Sequence, residues 1–120
     1  MKTTDTILIA DRNPHIREFL IRELADSGYH VRSVDNANDL LQVIYSDNRM
    51  ALLILDPDFP CLDGQELAQK IAARIPQIPV VLHCVPGSDD CSTFDDVHAV
   101  RIEKNGRSVE ALKEAIQQIL

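Results

Sequence analysis

The sequence predicts an α/β fold, with five short strands alternating with helices in a βαβαβαβαβα order. Three observations carry this. Short, mainly apolar runs recur at residues 6–10, 51–55 and 80–85, residues 97–102 read as a further strand, and a fifth stretch, 29–34, alternates apolar and polar residues. Between them, apolar residues fall at helical spacing, so the period switches from two to 3.6 and back. The connections are short, which implies a parallel sheet with helices on both faces, joined by right-handed crossovers.

Taken in order, Thr-Ile-Leu-Ile-Ala at 6–10 is a strand stopped by Asp11. Asn13 can cap the first helix and Pro14 suits its first position. Ile16, Phe19, Leu20 and Leu24 are its expected buried face, and Gly28 its stop. The alternating stretch 29–34 suits an edge strand with one polar-leaning face. Asn36, with Asp39 three residues on, opens a second helix whose expected stripe is Leu40, Leu41, Ile44 and Tyr45. The unbroken run 51–55 suits a central strand buried on both faces. Asp56-Pro57 and Phe59-Pro60 then forbid helix locally. Asp63 with Glu66 reads as the start of a third helix, burying Leu67, Ile71 and Ile75. Pro76 and Pro79 end it ahead of the fourth strand. Residues 86–96 hold poor helix formers and several acids, so a fourth helix there should be short or irregular. Ser108 can cap a last helix with a stripe of Val109, Leu112, Ile116 and Ile119.

At 120 residues the chain suits a single domain, 1–120, with one core. Its longest apolar runs are too short to span a bilayer, and its N-terminus lacks the apolar core of a signal peptide. These features predict a cytoplasmic protein without membrane contact. A formal charge of −7 argues against nucleic-acid binding through phosphate neutralisation. Cys61, Cys84 and Cys91 form no C-x-x-C pair, and an odd count in a cytoplasmic chain reads as free thiols. The four histidines have no zinc-ligand spacing.

The chemistry is expected where the central strand ends. Asp56 stands at its carboxyl end, the edge where open α/β sheets gather ligands. The stretch Asp56-Pro57-Asp58-Phe59-Pro60-Cys61-Leu62-Asp63-Gly64 resembles the phosphoacceptor loop of bacterial response-regulator receiver domains, roughly Asp-x-x-x-Pro-x-x-Asp-Gly. Ala10-Asp11-Arg12-Asn13-Pro14-His15-Ile16-Arg17 is likewise similar to the family's Val-Asp-Asp-Glu-Pro-x-Ile-Arg. The resemblance covers essentially the whole chain. It implies a flavodoxin-like (βα)5 three-layer sandwich with a parallel sheet of order 2-1-3-4-5. It also implies that Asp56 accepts a phosphoryl group from a histidine kinase, with Mg2+ screening the repulsion between two anions. By position, Asp11, Asp56 and the backbone carbonyl of Asp58 would hold that ion. Lys104 would contact the phosphoryl group, and Cys84 stands where the family carries a Ser or Thr that hydrogen-bonds it.

The sequence departs from the family at several of these points. Arg12 replaces the usual second acid, a change of two charge units beside a dication site, worth roughly a few kcal/mol of metal affinity. Either Arg12 swings to solvent and leaves a weaker Mg2+ site, or its guanidinium lies over Asp56 and partly replaces the ion. Lys104 is followed by Asn105-Gly106 rather than the family's Pro, and it also reads as a surface lysine at a strand end. A thiol at Cys84 is a weak donor, and the residue also reads as a small buried side chain. Arg101 stands where the family has Tyr or Phe, and it cannot fill an apolar slot at similar cost. The expected partners are a sensor histidine kinase or phosphotransfer protein upstream and an output domain or effector downstream. The only chemistry expected is self-phosphorylation and dephosphorylation, not turnover as an enzyme. The competing reading is a divergent receiver that binds partners without phosphoryl control. A flavin or nucleotide enzyme is disfavoured, because Asp11-Arg12-Asn13-Pro14-His15 lacks the glycines or hydroxyls of a phosphate loop.

Overall fold

The computed structural model describes residues 6–47, 49–59, 64–85 and 99–120. The elements run β1 (Thr6–Ala10), α1 (Pro14–Asp26), β2 (His30–Val34), α2 (Ala37–Ser46), β3 (Met50–Leu55), α3 (Gly64–Ala72), β4 (Val80–Cys84), β5 (Ala99–Glu103) and α4 (Ser108–Ile119). The strands form one sheet of order β2-β1-β3-β4-β5, with every neighbouring pair parallel. This is the sheet order implied by the receiver resemblance. The expected short helix at 86–96 and the capping role of Asp63 fall outside the described residues.

Strand alternation divides the core between the two faces of the sheet. Leu8, Ala10, Leu53, Leu55, Val80 and Leu82 pack on one side with Leu40, Val43 and Ile44 of α2 and Leu67, Ala68 and Ile71 of α3. Ile7, Ile9, Leu52, Ile54 and Val81 pack on the other with Leu20 and Leu24 of α1 and Leu112 and Ile116 of α4. Both faces of β1, β3 and β4 are therefore dry, which is why these strands read as continuous apolar runs. β2 lies at an edge and keeps only Val34 buried.

Several helix stripes differ in detail from the sequence reading. α3 ends at Ala72, so Ile75 falls beyond it and is 93% exposed rather than buried. Arg74 turns inward instead. Its guanidinium donates from Nε to the Ile44 carbonyl and from Nη1 to the Pro76 carbonyl at 2.7 Å. Phe19 stays at the surface, with the Arg22 guanidinium 5.9 Å above its ring. Tyr45 is exposed because its hydroxyl donates to the Lys70 carbonyl across the outside of α2 and α3, and Val43 takes the buried place. β5 extends to Glu103, one residue beyond the expected end. Ser108 is the first helical residue of α4 rather than its cap. The Asn105 turn caps α4 instead, its side-chain oxygen accepting from the Arg107 amide and its carbonyl from the Ser108 amide. Cys84 is disulfide-bonded, which corrects the free-thiol expectation at that position. An odd count still leaves room for one pair; Cys61 and Cys91 lie outside the described residues.

Candidate functional site

The carboxyl ends of β1, β3, β4 and β5 lie side by side, and two backbone hydrogen bonds extend the sheet just past them. The Asp56 amide donates to the Ala10 carbonyl at 2.9 Å, and the Lys104 amide to the Cys84 carbonyl at 2.6 Å. The first brings Asp56 beside Asp11. The second launches Lys104 over the end of β4. Strands sit about 4.8 Å apart, so the ends of β5 and β3 are roughly 10 Å apart, a gap that the Lys104 and Asp56 side chains close together.

Asp56 is buried, 1% exposed. Its Oδ1 accepts the Asp58 amide at 3.0 Å, and its carbonyl accepts the Phe59 amide at 2.9 Å, so the chain turns tightly beneath it. Phe59 is buried in the core and anchors that turn. Asp56 Oδ2 receives the Lys104 ammonium at 3.0 Å. The same ammonium approaches Asp11 Oδ2 at 3.0 Å, as an ion pair without hydrogen-bond geometry. Asp11 Oδ1 accepts the Asn13 amide at 2.9 Å, just ahead of α1. The structure thus brings Asp11, Asp56 and Lys104, named from sequence, into one buried cluster. The Lys104 side chain is only 12% exposed, so it is not a surface lysine at a strand end.

Arg12 completes the cluster from the solvent side. Its Nε lies 3.8 Å from Asp56 Oδ2 and its Nη2 3.4 Å from Asp58 Oδ2. Of the two arrangements left open by the sequence, this is the one with the guanidinium over Asp56. The side chain of Asp58 serves Arg12. Cys84 lies at the end of β4, and a disulfide sulfur has no proton, so in this form it offers no donor in place of a hydroxyl. Arg101 is on exposed β5, opposite Leu82.

Two residues of the site were not singled out for it by sequence. Arg17 donates from Nη1 to the Asp11 carbonyl at 2.6 Å and pins the β1–α1 turn. The signal was available, since Arg17 lies in the first turn of the helix that follows Asp11. His83 is the other, buried in β4 on the Val81 face. Among the described residues neither of its ring nitrogens has a hydrogen-bond partner. Burial pushes its imidazole down to about 4; nearby Lys104 acts the same way, while Asp11 and Asp56 oppose it. A lone histidine inside an apolar run gives no sequence signal of such a place.

This sheet order, with an acid cluster at the carboxyl edge of its central strands, is the architecture expected of a receiver domain. The family model of the response regulator receiver domain matches residues 7–117, and the chain belongs to that family. Among curated proteins it is similar to the response regulator receiver protein CpdR of Brucella abortus, 31% identical over 75 residues, 62% of each chain. It is also similar to the response regulator MprA of Mycobacterium ulcerans, 33% identical over 76 residues, 63% of this chain and 32% of MprA. The match thus spans less than two thirds of either relative. Among solved structures, the response regulator TrrA of Thermotoga maritima in complex with Mg2+ and beryllofluoride superposes with a TM-score of 0.77. It is 27% identical, and the match covers 97% of this chain and 99% of TrrA. TrrA has also been crystallised with the histidine kinase ThkA.

The residues of this site do not fit a dication as the family's usual acids would. A guanidinium stands where the second acid belongs and already lies against two carboxylates. Among the described residues no three His, Cys, Asp or Glu side chains are grouped so as to hold a metal ion. Bringing a divalent cation next to Arg12 at a screened separation opposes binding by roughly a few kcal/mol. Among the described residues no helix is long and apolar enough to cross a membrane.

Proposed function

We propose that the chain is a phosphorelay receiver in which Asp56 accepts a phosphoryl group from a histidine kinase or phosphotransfer protein. One observation carries this reading: the Asp56 carboxylate sits buried at the end of the central strand with an ammonium at 3.0 Å. An Asp56 oxygen attacks phosphorus as the P–N bond of a phosphohistidine breaks. The electron pair stays on the imidazole nitrogen, which takes a proton from solvent. Lys104 balances charge gathering on the phosphoryl oxygens, and Asp11 holds Lys104 in place. Water later cleaves the acyl phosphate, so the chemistry is gain and loss of one group. The TrrA–ThkA pair supports a kinase as partner. A cytoplasmic location and a downstream output domain or effector belong to the same reading, with neither nucleic acid nor membrane bound by this domain.

The test is intact mass after incubation with acetyl phosphate in Mg2+ buffer. One phosphoryl adduct is expected on the wild type and none on Asp56→Asn. No adduct on a folded wild type would leave a protein-binding module without phosphoryl control.

A further inference from the structure

We propose that Arg12 takes the place of the divalent cation at this centre, so that Asp56 is phosphorylated without a metal and its phosphoryl group is held between guanidinium and ammonium. The proposal rests on Asp56 being the phosphoacceptor and adds the means by which its charge is managed.

The charge pattern is the first argument. Three carboxylates, Asp11, Asp56 and Asp58, meet two cations, Lys104 and Arg12, within 4 Å. One negative charge is left over. With an acid at position 12 the balance would be four carboxylates against one cation, a deficit of three that a dication would bring to the same single charge. Here the cation is covalently part of the chain.

Position is the second argument. Lys104 approaches Asp56 Oδ2 from the buried side and Arg12 approaches the same oxygen from solvent, its side chain 53% exposed. A phosphoryl donor must arrive from that open side, so it meets the guanidinium first. Arg12 stands directly after Asp11, whose carbonyl is pinned by Arg17 and whose carboxylate pairs with Lys104. The guanidinium is therefore delivered from a fixed turn rather than from a wandering loop.

Chemistry is the third. A guanidinium has five N–H donors in a planar fork that matches phosphoryl oxygens, and it stays charged at any working pH. Its contacts to Asp56 and Asp58, at 3.8 and 3.4 Å, are longer than a tight bidentate pair. They hold the guanidinium near the acceptor yet leave it able to turn onto an incoming anion. Transfer from acetyl phosphate then needs no further component. An Asp56 oxygen bonds to phosphorus, the P–O bond to the acetyl group breaks, and acetate leaves with the electron pair.

The experiment compares wild type with Arg12→Asp, each with acetyl phosphate in excess EDTA and in Mg2+, read by intact mass. Metal binding is read separately by Mn2+ broadening of amide NMR signals, and circular dichroism checks that each protein is folded. Arg12 is exposed, so its replacement should leave the fold intact. The wild type is expected to form the adduct in EDTA to within about twofold of its level in Mg2+. Arg12→Asp is expected to lose on the order of a hundredfold or more in EDTA, the scale of removing one charge-stabilising donor. It should also gain Mn2+ broadening around Asp11 and Asp56 that the wild type lacks. An adduct on the wild type in Mg2+ but not in EDTA overturns the role of Arg12 and leaves Asp56 as phosphoacceptor. An adduct only on Arg12→Asp with Mg2+ shows Arg12 to be a block, which also overturns it. No adduct on either protein under any condition removes the phosphoacceptor reading, and this proposal with it.

Discussion

Lys104 is the residue on which the buried cluster depends. Its ammonium separates two carboxylates, both buried, at 3.0 Å from each. Removing one partner of a buried ion pair leaves uncompensated charge and typically costs about 3–5 kcal/mol. Lys104→Met should therefore destabilise the protein by about that much in urea unfolding at pH 7. The same change made in Asp56→Asn should cost about half as much, because only Asp11 is then left unpaired. Equal costs in the two backgrounds would mean that Lys104 acts through packing rather than through Asp56. Asp11 and Asp56 were legible in the sequence because each sits where an apolar run stops, whereas Lys104, two residues past Ile102, was read from the receiver resemblance. The posture of Arg12 was not, since a side chain on a turn can face either solvent or site with little difference in local energy. His83 was not singled out because residue type alone does not reveal a buried imidazole.

At the scale of elements, strands were easier to read than helix faces. Both sides of β1, β3 and β4 are buried, so any register gives an apolar run. A helix buries only one stripe, and a polar anchor can move it, as the Tyr45 hydroxyl does by reaching the Lys70 carbonyl. The end of α3 shows the same competition. Hydrophobicity placed Ile75 inside, but Arg74 is the residue that turns in, because its guanidinium satisfies the Ile44 carbonyl in the last turn of α2 and the Pro76 carbonyl beyond α3. One side chain thus joins two helices and the loop into β4. Hydrogen bonds from a charged donor contribute about 1.5–3 kcal/mol each, and buried acceptors left alone are penalised. Arg74→Met should lower stability by about 2–4 kcal/mol, measured from the urea midpoint at unchanged slope. Phosphoryl acceptance should be unaffected at temperatures where the variant is folded. A loss under about 0.5 kcal/mol would show that water replaces the clamp freely.

At the scale of the whole molecule, acid stability joins the site to the core. The chain carries a net charge of −7, so acidification first relieves self-repulsion and favours the compact state. His83 works in the opposite direction. In the folded protein its imidazole is pushed from 6.5 down to about 4, chiefly by burial. Below pH 6.5 the unfolded chain takes up a proton that the folded chain refuses until near pH 4. The stabilisation from keeping this ring neutral is therefore complete above 6.5 and is lost as pH falls from 6.5 towards 4. Between pH 7 and pH 5 the loss amounts to at most about 2 kcal/mol, a sizeable share of the 5–15 typical of a domain. His83→Leu removes the proton site and fills the same apolar face of β4. The difference in unfolding free energy between this variant and the wild type should grow in the variant's favour by up to about 2 kcal/mol as pH is lowered from 7 to 5. Comparing the two proteins at each pH cancels the general charge effect, which they share. Parallel pH profiles would show that the folded core accepts the proton on His83 without penalty.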